Sequence, residues 1–260
     1  MDPVLLAIPM GILIGLVVGG VGGGGGVLGL PVLVYVLGEG VGAASTASLI
    51  VVAVAAGIGA GALALRGHVC WRIALTFTPP AAIGSFLGTL GNHAVSAKAL
   101  ILAFVPVMLL ASGATWQRAR RITSEETGDC PAARPLRIVI AGLGLGGLTG
   151  FFGVGGGFMI VPVLMLWLGF TFRRAVATSL VILTLTGLAA LASHLAVGAV
   201  INVPITVSLS VSTAAGALAG SILAQRVPQA ALGRAFAVVV AGIAVFLLVD
   251  TLLLGGPPHG

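Results

Sequence analysis

Long apolar stretches, separated by short charged islands, follow one another along the chain from Val4 to Leu254. A helix that crosses a bilayer needs roughly 20 apolar residues. Stretches of about that length predict six spans, near residues 45–65, 71–90, 97–116, 175–197, 203–223 and 232–254. The pattern therefore predicts an all-α polytopic membrane protein.

A shorter pattern precedes the three spans of each half, where two apolar arms flank a run of glycines. In the first half, arms 4–18 and 27–37 flank the run 19–26, and in the second, arms 138–148 and 158–168 flank the run 153–157. These arms are too short to cross a bilayer alone. Each half is therefore predicted to open with a glycine-broken hairpin, and whether the hairpin crosses fully or only dips into the bilayer stays open.

The two halves repeat each other in sequence. Aligned in one register, the first half places Gly15, Gly19, Gly22, Gly24, Gly25, Gly26 and Pro31 on Gly146, Gly150, Gly153, Gly155, Gly156, Gly157 and Pro162. After one inserted residue, the same alignment places Gly84 and Gly88 on Gly216 and Gly220. We interpret residues 1–117 and 136–260 as two homologous transmembrane repeats, joined by a linker loop at 118–135.

The charges predict how these repeats lie in the membrane. A hairpin that returns to its own side plus three spans gives an odd number of crossings, so the second repeat should be inverted relative to the first. If the linker is cytoplasmic, both termini face outward and only Lys98 of the twelve cations lies outside, which is a strong positive-inside pattern. The cations expected on the inside are Arg66, Arg72, Arg118, Arg120, Arg121, Arg134, Arg137, Arg173, Arg174, Arg226 and Arg234.

Composition narrows the possible functions. The chain is 58% hydrophobic and 7% charged, whereas soluble domains carry about 25% charge, and the longest polar stretch, 117–137, has no room for a soluble catalytic domain. The net charge of +6 does not indicate nucleic-acid binding, because the cations are scattered in loops without a basic face. Cys70 and Cys130 have no metal-site spacing, and we expect no disulfide between them.

The glycine runs are the strongest candidates for a binding site. Several successive glycines weaken a helix by roughly 1 kcal/mol each, and irregular backbone at membrane depth is tolerated only inside protein or beside a wet cavity. Paired broken segments in inverted repeats are typical of secondary transporters, whose site lies at the repeat interface. Short helices beginning at Val27 and Phe158 would point free N–H groups at the breaks, and this geometry favours an anion.

The distribution of acidic residues also favours an anion. The predicted spans hold almost no carboxylate, which a cation pathway would normally place there. Hydroxyls that follow each run are further candidates, although Ser and Thr in membrane helices often bond only a carbonyl one turn earlier. The predicted substrate-binding residues are Gly22, Gly24, Gly25, Gly26, Thr46, Ser48, Gly153, Gly155, Gly156, Gly157, Thr178 and Ser179. No catalytic residue, metal or cofactor is expected.

Two segments carry a resemblance to a known family. GGVGGGGGVLGLP at 19–31 and GFFGVGGGFMIVP at 150–162 resemble the duplicated signature of the sulfite exporter TauE/SafE family, and the resemblance extends over nearly the whole chain. It implies transport of sulfite, sulfonates or related sulfur anions across the bacterial inner membrane. The first copy has Gly23 where the second has Val154, and members of the family differ in substrate.

A passive channel, an intramembrane hydrolase and a nucleotide-binding protein are the alternatives to a transporter. A passive anion channel fits the neutral glycine-lined site nearly as well as a carrier does. An intramembrane hydrolase is disfavoured, because Ser193 and His194 are adjacent on a helix and point in different directions. The G-x-G-x-x-G match in 142–147 lacks the strand and acidic residue of a nucleotide site. Arg173 and Arg174 are expected at the cytoplasmic end, where they would draw cytoplasmic anions toward an inward-facing vestibule.

Overall fold

Nine α-helices make up most of the described chain. The computed structural model describes residues 3–22, 29, 32–92, 97–121, 129–152, 157–196 and 202–253. The helices are α1 (Pro3–Val21), α2 (Val41–Ala64), α3 (Trp71–Asn92), α4 (Ala97–Arg121), α5 (Pro135–Phe152), α6 (Gly157–Leu166), α7 (Phe172–Ala196), α8 (Val203–Leu223) and α9 (Gln229–Leu253). A π-helical turn at Val32–Val36 precedes α2, and a 3₁₀ turn at Ala224–Arg226 follows α8. Within these residues the fold is all-helical, as predicted.

Five of the described helices are long and apolar enough to cross a membrane. The candidate spans are Ala43–Ala64, Pro135–Phe152, Phe172–Ala192, Val203–Arg226 and Gln229–Val249. The predicted spans in α3 and α4 are not among these five. Helices α3 and α4 contain 22 and 25 residues. At a rise of about 1.5 Å per residue, helices of this length would nevertheless reach across a bilayer.

The first arm of each predicted hairpin is longer than the sequence suggested. The arms expected at 4–18 and 138–148 are parts of α1 and α5, which contain 19 and 18 residues. The expected break at 19–26 is wrong at its start, because Gly19 and Gly20 are helical. These glycines stay in the helix because they pack directly on a neighbouring helix, and this tertiary contact outweighs their low helix propensity.

Glycines bring α1 into backbone contact with α8. A Cβ atom on Gly15 would overlap the carbonyl oxygen of Thr213, and one on Gly19 would overlap that of Ala217. From the other side, a Cβ on Gly216 would overlap the carbonyl oxygen of Ile12. Small residues permit such close approach of membrane helices. Because the contacts advance together along both helices, α1 and α8 run parallel.

The pair α5 and α3 makes the corresponding contacts. Gly146 contacts the carbonyl oxygen of Ala81, and Gly150 contacts that of Ser85. These contacts correspond to those of Gly15 with Thr213 and of Gly19 with Ala217. Gly84 faces Leu143 as Gly216 faces Ile12. Each contact maps onto its counterpart in the register of the sequence repeat. The same helix crossing therefore occurs twice.

The short segments after the glycine runs also end alike. Gly38 and Gly169 both adopt positive φ, at 70° and 74°. The next residue in each case donates a backbone hydrogen bond six residues back, from Glu39 to Leu33 and from Phe170 to Leu164, both at 3.0 Å. Glycine takes this left-handed conformation at little cost, and the hydrogen bond closes a wide backbone turn around it. Each segment is thereby turned into the long helix that follows it.

Equivalent helices of the two halves pack against each other in opposite directions. Between α2 and α7, a Cβ on Gly187 would lie 3.2 Å from Ala53 Cβ, and one on Gly59 would lie 3.1 Å from Leu180 Cδ1. Residue numbers therefore rise along one helix in the direction in which they fall along the other. Between α4 and α9, Ser112 Oγ donates to the carbonyl of Ala237 at 2.8 Å, and Gly233 faces Ala119. Both pairs are therefore antiparallel.

The core is centred on α6 and α7. Residues 175–183 of α7 are all buried, as is most of α6. Phe158, Leu164, Phe172 and Leu180 are among the buried side chains of the largest hydrophobic cluster. Thus the part of α7 that carries the predicted hydroxyls of the second half is enclosed by protein.

The expectation that the cysteines are unpaired is wrong, because Cys70 and Cys130 form a disulfide. The fold brings the residue before α3 to the end of the linker, although 60 residues separate them. Local cysteine spacing carries no information about such a tertiary contact.

Gly146 and Gly144 on α5 offer a matched test of the glycine contacts. We expect Gly146→Ala to lower the free energy of unfolding by about 1–3 kcal/mol, because its methyl group would force α5 away from the backbone of α3. A Cβ on Gly144 would meet no described atom within 4 Å, so Gly144→Ala should be neutral or slightly stabilising. Thermal unfolding of both variants in detergent measures the difference, and equal stability would contradict this account of the crossing.

Candidate functional site

Helix α1 ends within the first glycine run, at a point where the two halves of the chain meet. Gly22 is buried and has a φ of +82°. A Cβ on it would lie 2.9 Å from Val161 Cγ2 on α6, 3.2 Å from Ser179 Oγ and 3.3 Å from Val176 Cγ2 on α7. The structure therefore brings together two of the predicted site residues, Gly22 and Ser179, from opposite halves.

The two hydroxyls of α7 that were predicted as site residues, Thr178 and Ser179, are both buried and hydrogen-bonded. Ser179 Oγ donates to the carbonyl of Val176 at 2.8 Å, which is the local bond weighed against a binding role. Its oxygen still has lone pairs that can accept hydrogen bonds. Thr178 Oγ1 accepts a bond of 3.2 Å from the backbone N–H of Cys70. Thr178 thus connects α7 to the residue that carries the disulfide.

The predicted hydroxyls of the first half form a separate group. Thr46 and Ser48 are buried near the start of α2. A Cβ on Gly29 would lie 2.7 Å from Ser48 Oγ, so this hydroxyl faces the segment that follows the first run. The fold separates this pair from Thr178 and Ser179, because α2 and α7 are antiparallel and each pair lies near the start of its helix.

The remaining predicted site residues are glycines of the two runs. Gly157 is described, and it is the buried first residue of α6. The others, Gly24, Gly25, Gly26, Gly153, Gly155 and Gly156, lie outside the described residues.

A small cavity lies directly beside the end of α1. Gly19, Gly20 and Val176 form one side of it, and the polar side chains of His68, Arg173, Ser221 and Gln225 contribute to its lining. Its volume of about 20 Å³ has room for little more than one water molecule. An ion larger than water would enter only if these walls moved apart.

The polar lining comes from four helix ends on one face of the bundle. His68 belongs to the loop between α2 and α3, and Arg173 to the first turn of α7. Ser221 lies in the last turn of α8, and Gln225 in the 3₁₀ turn that follows it. Arg173 donates from Nη2 to the carbonyls of Gln225 and Val227 at 3.0 and 3.1 Å. These bonds fix a cation at the cavity wall.

The electrostatics of this face favour a negative ligand. Burial lowers the pKa of His68 below its ordinary value of 6.5, and the nearby charges of Arg174, Arg173 and Arg66 lower it further. His68 is therefore neutral at neutral pH. Its Nδ1 atom is buried and has no hydrogen-bond partner among the described residues, so the cavity wall holds one polar group that a bound molecule could satisfy.

Aromatic side chains flank the second glycine run. The ring of Phe104 lies 4.9 Å from that of Phe152 and 5.5 Å from that of Phe158, between ring centroids. Phe151 adds an edge contact to Phe152 at 5.4 Å. The matching positions before and after the first run are Gly20, Val21 and Val27. The flanks of the two runs therefore differ in chemistry despite their related sequences.

Sequence reasoning assigned no role to His68 or Gln225, and the structure places both in the cavity wall. The only sequence feature that could have indicated them is their position in or beside the short loops that carry the arginines predicted on the cytoplasmic side. Arg173 was expected at an entrance for anions, and it does line the cavity. Arg174 points elsewhere, and its Nη1 lies 3.4 Å from Cys130 Sγ and 3.9 Å from Cys70 Sγ.

Comparisons with known proteins agree with these features. The family model described as "Sulfite exporter TauE/SafE" matches residues 7–247. A "Probable membrane transporter protein" of Xylella fastidiosa (strain Temecula1 / ATCC 700964) is 30% identical over 253 residues, which cover 94% of each chain. One with the same description from strain 9a5c is 28% identical over 186 residues, or 71% of each chain. No solved structure gives a significant match. The chain is therefore a membrane transporter that belongs to the sulfite exporter TauE/SafE family.

Proposed function

We propose that this protein is a secondary transporter that moves sulfite, or a small organosulfonate or other sulfur oxyanion, across the bacterial inner membrane. The anion is held at the glycine-rich helix breaks between the two halves. The single observation that carries this proposal is the junction at Gly22, where a break in one half meets Ser179 of the other, beside a cavity lined by Arg173.

The antiparallel helix pairs support the inverted arrangement of the two repeats. Helices α2 and α7 are equivalent in the sequence repeat, and so are α4 and α9. In inverted-topology repeats, equivalent helices point in opposite directions because the two copies are related by a pseudo-two-fold axis in the membrane plane. The parallel pairs agree, because each joins a helix of one copy to a non-equivalent helix of the other.

The distribution of polar groups supports a cytoplasmic position for the cavity. Its polar residues lie at the same helix ends as the arginines, which the positive-inside pattern assigns to the cytoplasm. At the opposite ends, Asn202 Nδ2 donates to Glu39 Oε1 at 2.8 Å. An anion from the cytoplasm would therefore meet Arg173 first and the Gly22 break next, which is the order needed for export.

The small volume of the cavity favours a carrier over a passive channel. A channel needs a continuous path, whereas this cavity leaves room for little more than a water molecule. Sulfite flux into proteoliposomes should therefore saturate with concentration and respond to an imposed ion or proton gradient. Flux that rises linearly without saturation would support the channel instead.

The orientation has a direct test in intact cells. In a background of Cys70→Ser and Cys130→Ser, we expect Ser96→Cys to react with a membrane-impermeant thiol reagent and Glu126→Cys to be protected. The reason is that the proposed topology assigns these residues to loops on opposite sides of the bilayer. After permeabilisation both should react, which controls for buried thiols, and the opposite pattern in intact cells would reverse the proposed direction.

Gly22 and Gly38 offer a matched test of the binding junction. Both have positive φ, so alanine strains each backbone by roughly 1–2 kcal/mol, but of the two only Gly22 has described neighbours within 4 Å of a Cβ. We expect Gly22→Ala to lower sulfite affinity at least tenfold, because its methyl group would occupy the space beside Ser179. Binding is measured by titration of the purified variants, and Gly38→Ala should bind as wild type does. Equal losses would mean that backbone strain, not the site, explains the effect.

Arg173 is expected to act mainly on the rate of entry. Removing its charge with Arg173→Gln should slow uptake from the cytoplasmic side several-fold, since local charge raises encounter rates. Arg173→Lys keeps the charge and should restore most of the rate. Arg234→Gln removes an exposed arginine of α9 whose Nε donates to Ala230 on its own helix, and it should have little effect. Flux in vesicles of known orientation, at low and high salt, distinguishes these outcomes.

A further inference from the structure

The disulfide between Cys70 and Cys130 lies among cations on the face that the charge pattern assigns to the cytoplasm. Thiols in that compartment are kept reduced, and the disulfides that occur there are usually transient or redox-sensing. Cys130 is exposed, whereas Cys70 is only 2% exposed. A nucleophile from solution can therefore reach one sulfur of this bond but not the other.

Arg174 lies beside both sulfurs of the bond. Its Nη1 lies 3.4 Å from Cys130 Sγ and 3.9 Å from Cys70 Sγ, and the same atom lies 3.4 Å from the carbonyl oxygen of Gly67. A guanidinium so placed attracts an incoming anion and also stabilises a thiolate that leaves. Both effects lower the barrier for attack on this disulfide by a negatively charged nucleophile.

We propose that Cys130 is a modification site for sulfite, the anion of the proposed function, on which this inference rests. The lone pair on the sulfur of sulfite attacks Cys130 Sγ and forms a new sulfur–sulfur bond. The bond between Cys130 and Cys70 breaks, and its electron pair leaves on Cys70 Sγ as a thiolate beside Arg174. The products are S-sulfocysteine at Cys130 and a free Cys70, and no external oxidant or reductant is needed.

The position of Cys70 couples this reaction to the transport site. Its backbone N–H donates to Thr178 on α7, and it lies two residues after His68 of the cavity wall. Cleavage releases the linker end from this segment and places new negative charge next to Arg174. The modification therefore lowers the positive potential at the cavity entrance when sulfite accumulates.

The test uses the purified full-length protein with its disulfide intact. After incubation with sodium sulfite and removal of the excess, free thiols are alkylated and peptides are mapped by mass spectrometry. We expect the sulfonate on Cys130 and the alkyl group on Cys70. Sodium sulfate at equal ionic strength should leave the disulfide intact. No adduct, or an adduct mainly on Cys70, would overturn the proposal.

Variants test the role of Arg174 in this reaction. Arg174→Gln should slow adduct formation roughly tenfold, the low end of what local charge does to encounter rates, and Arg174→Lys should recover part of it. Arg66→Gln removes an exposed arginine of the same face and should react as wild type does. Equal rates in Arg174→Gln and Arg66→Gln would overturn the assigned role.

Sulfite flux through Cys70→Ser/Cys130→Ser separates this inference from the proposed function. If this variant transports sulfite while the wild type forms no adduct, only the modification site is wrong. If the wild type forms the adduct but neither protein binds or transports sulfite, only the proposed function is wrong.

Discussion

The direct contact of helix backbones is the constraint on which the rest of this structure depends. In a bilayer, helices gain little from apolar burial against each other, because lipid is as apolar as a leucine side chain. Close packing must supply the attraction, and at Gly15 and Gly146 it does so without any side chain between the two helices. These contacts hold α1 on α8 and α5 on α3, so each half of the chain is fastened to the other twice. Residues 175–183 of α7 lie buried within this arrangement.

The sequence predicted the features that repeat along the chain and missed those that arise only when distant segments meet. The apolar periods predicted the helices, and Gly15 and Gly146, which the repeat alignment paired, each contact a carbonyl oxygen of a neighbouring helix. Glycine was expected to break the helix from residue 19 onward, yet Gly19 stays helical because Ala217 supports it. Helix propensity is a local quantity, and a tertiary contact outweighs it here.

The candidate site was likewise predicted only in part. Gly22 and Ser179 were singled out separately from sequence, and the structure places them against each other. His68 and the Cys70–Cys130 disulfide were missed, because neither has a sequence pattern that reveals its neighbours. Three polar residues of α7, Arg173, Arg174 and Thr178, lie close to the loop at 65–70 and set the charge and hydrogen bonding around it. Such a meeting of residues so far apart along the chain has no signature in a single sequence.

The aromatic rings beside the second glycine run make the two ends of the molecule unequal in energy. Each aromatic pair contributes about 0.5–1.5 kcal/mol beyond simple burial, and Phe104 forms such pairs with both Phe152 and Phe158. A state that separates these rings would lose about 1–3 kcal/mol. The end of the molecule with Gly20 and Val21 at the matching positions has no such rings to separate. A difference of this size shifts an equilibrium by roughly 5- to 150-fold. Separating the helices at the end that carries these rings would therefore cost more free energy than separating them at the other end.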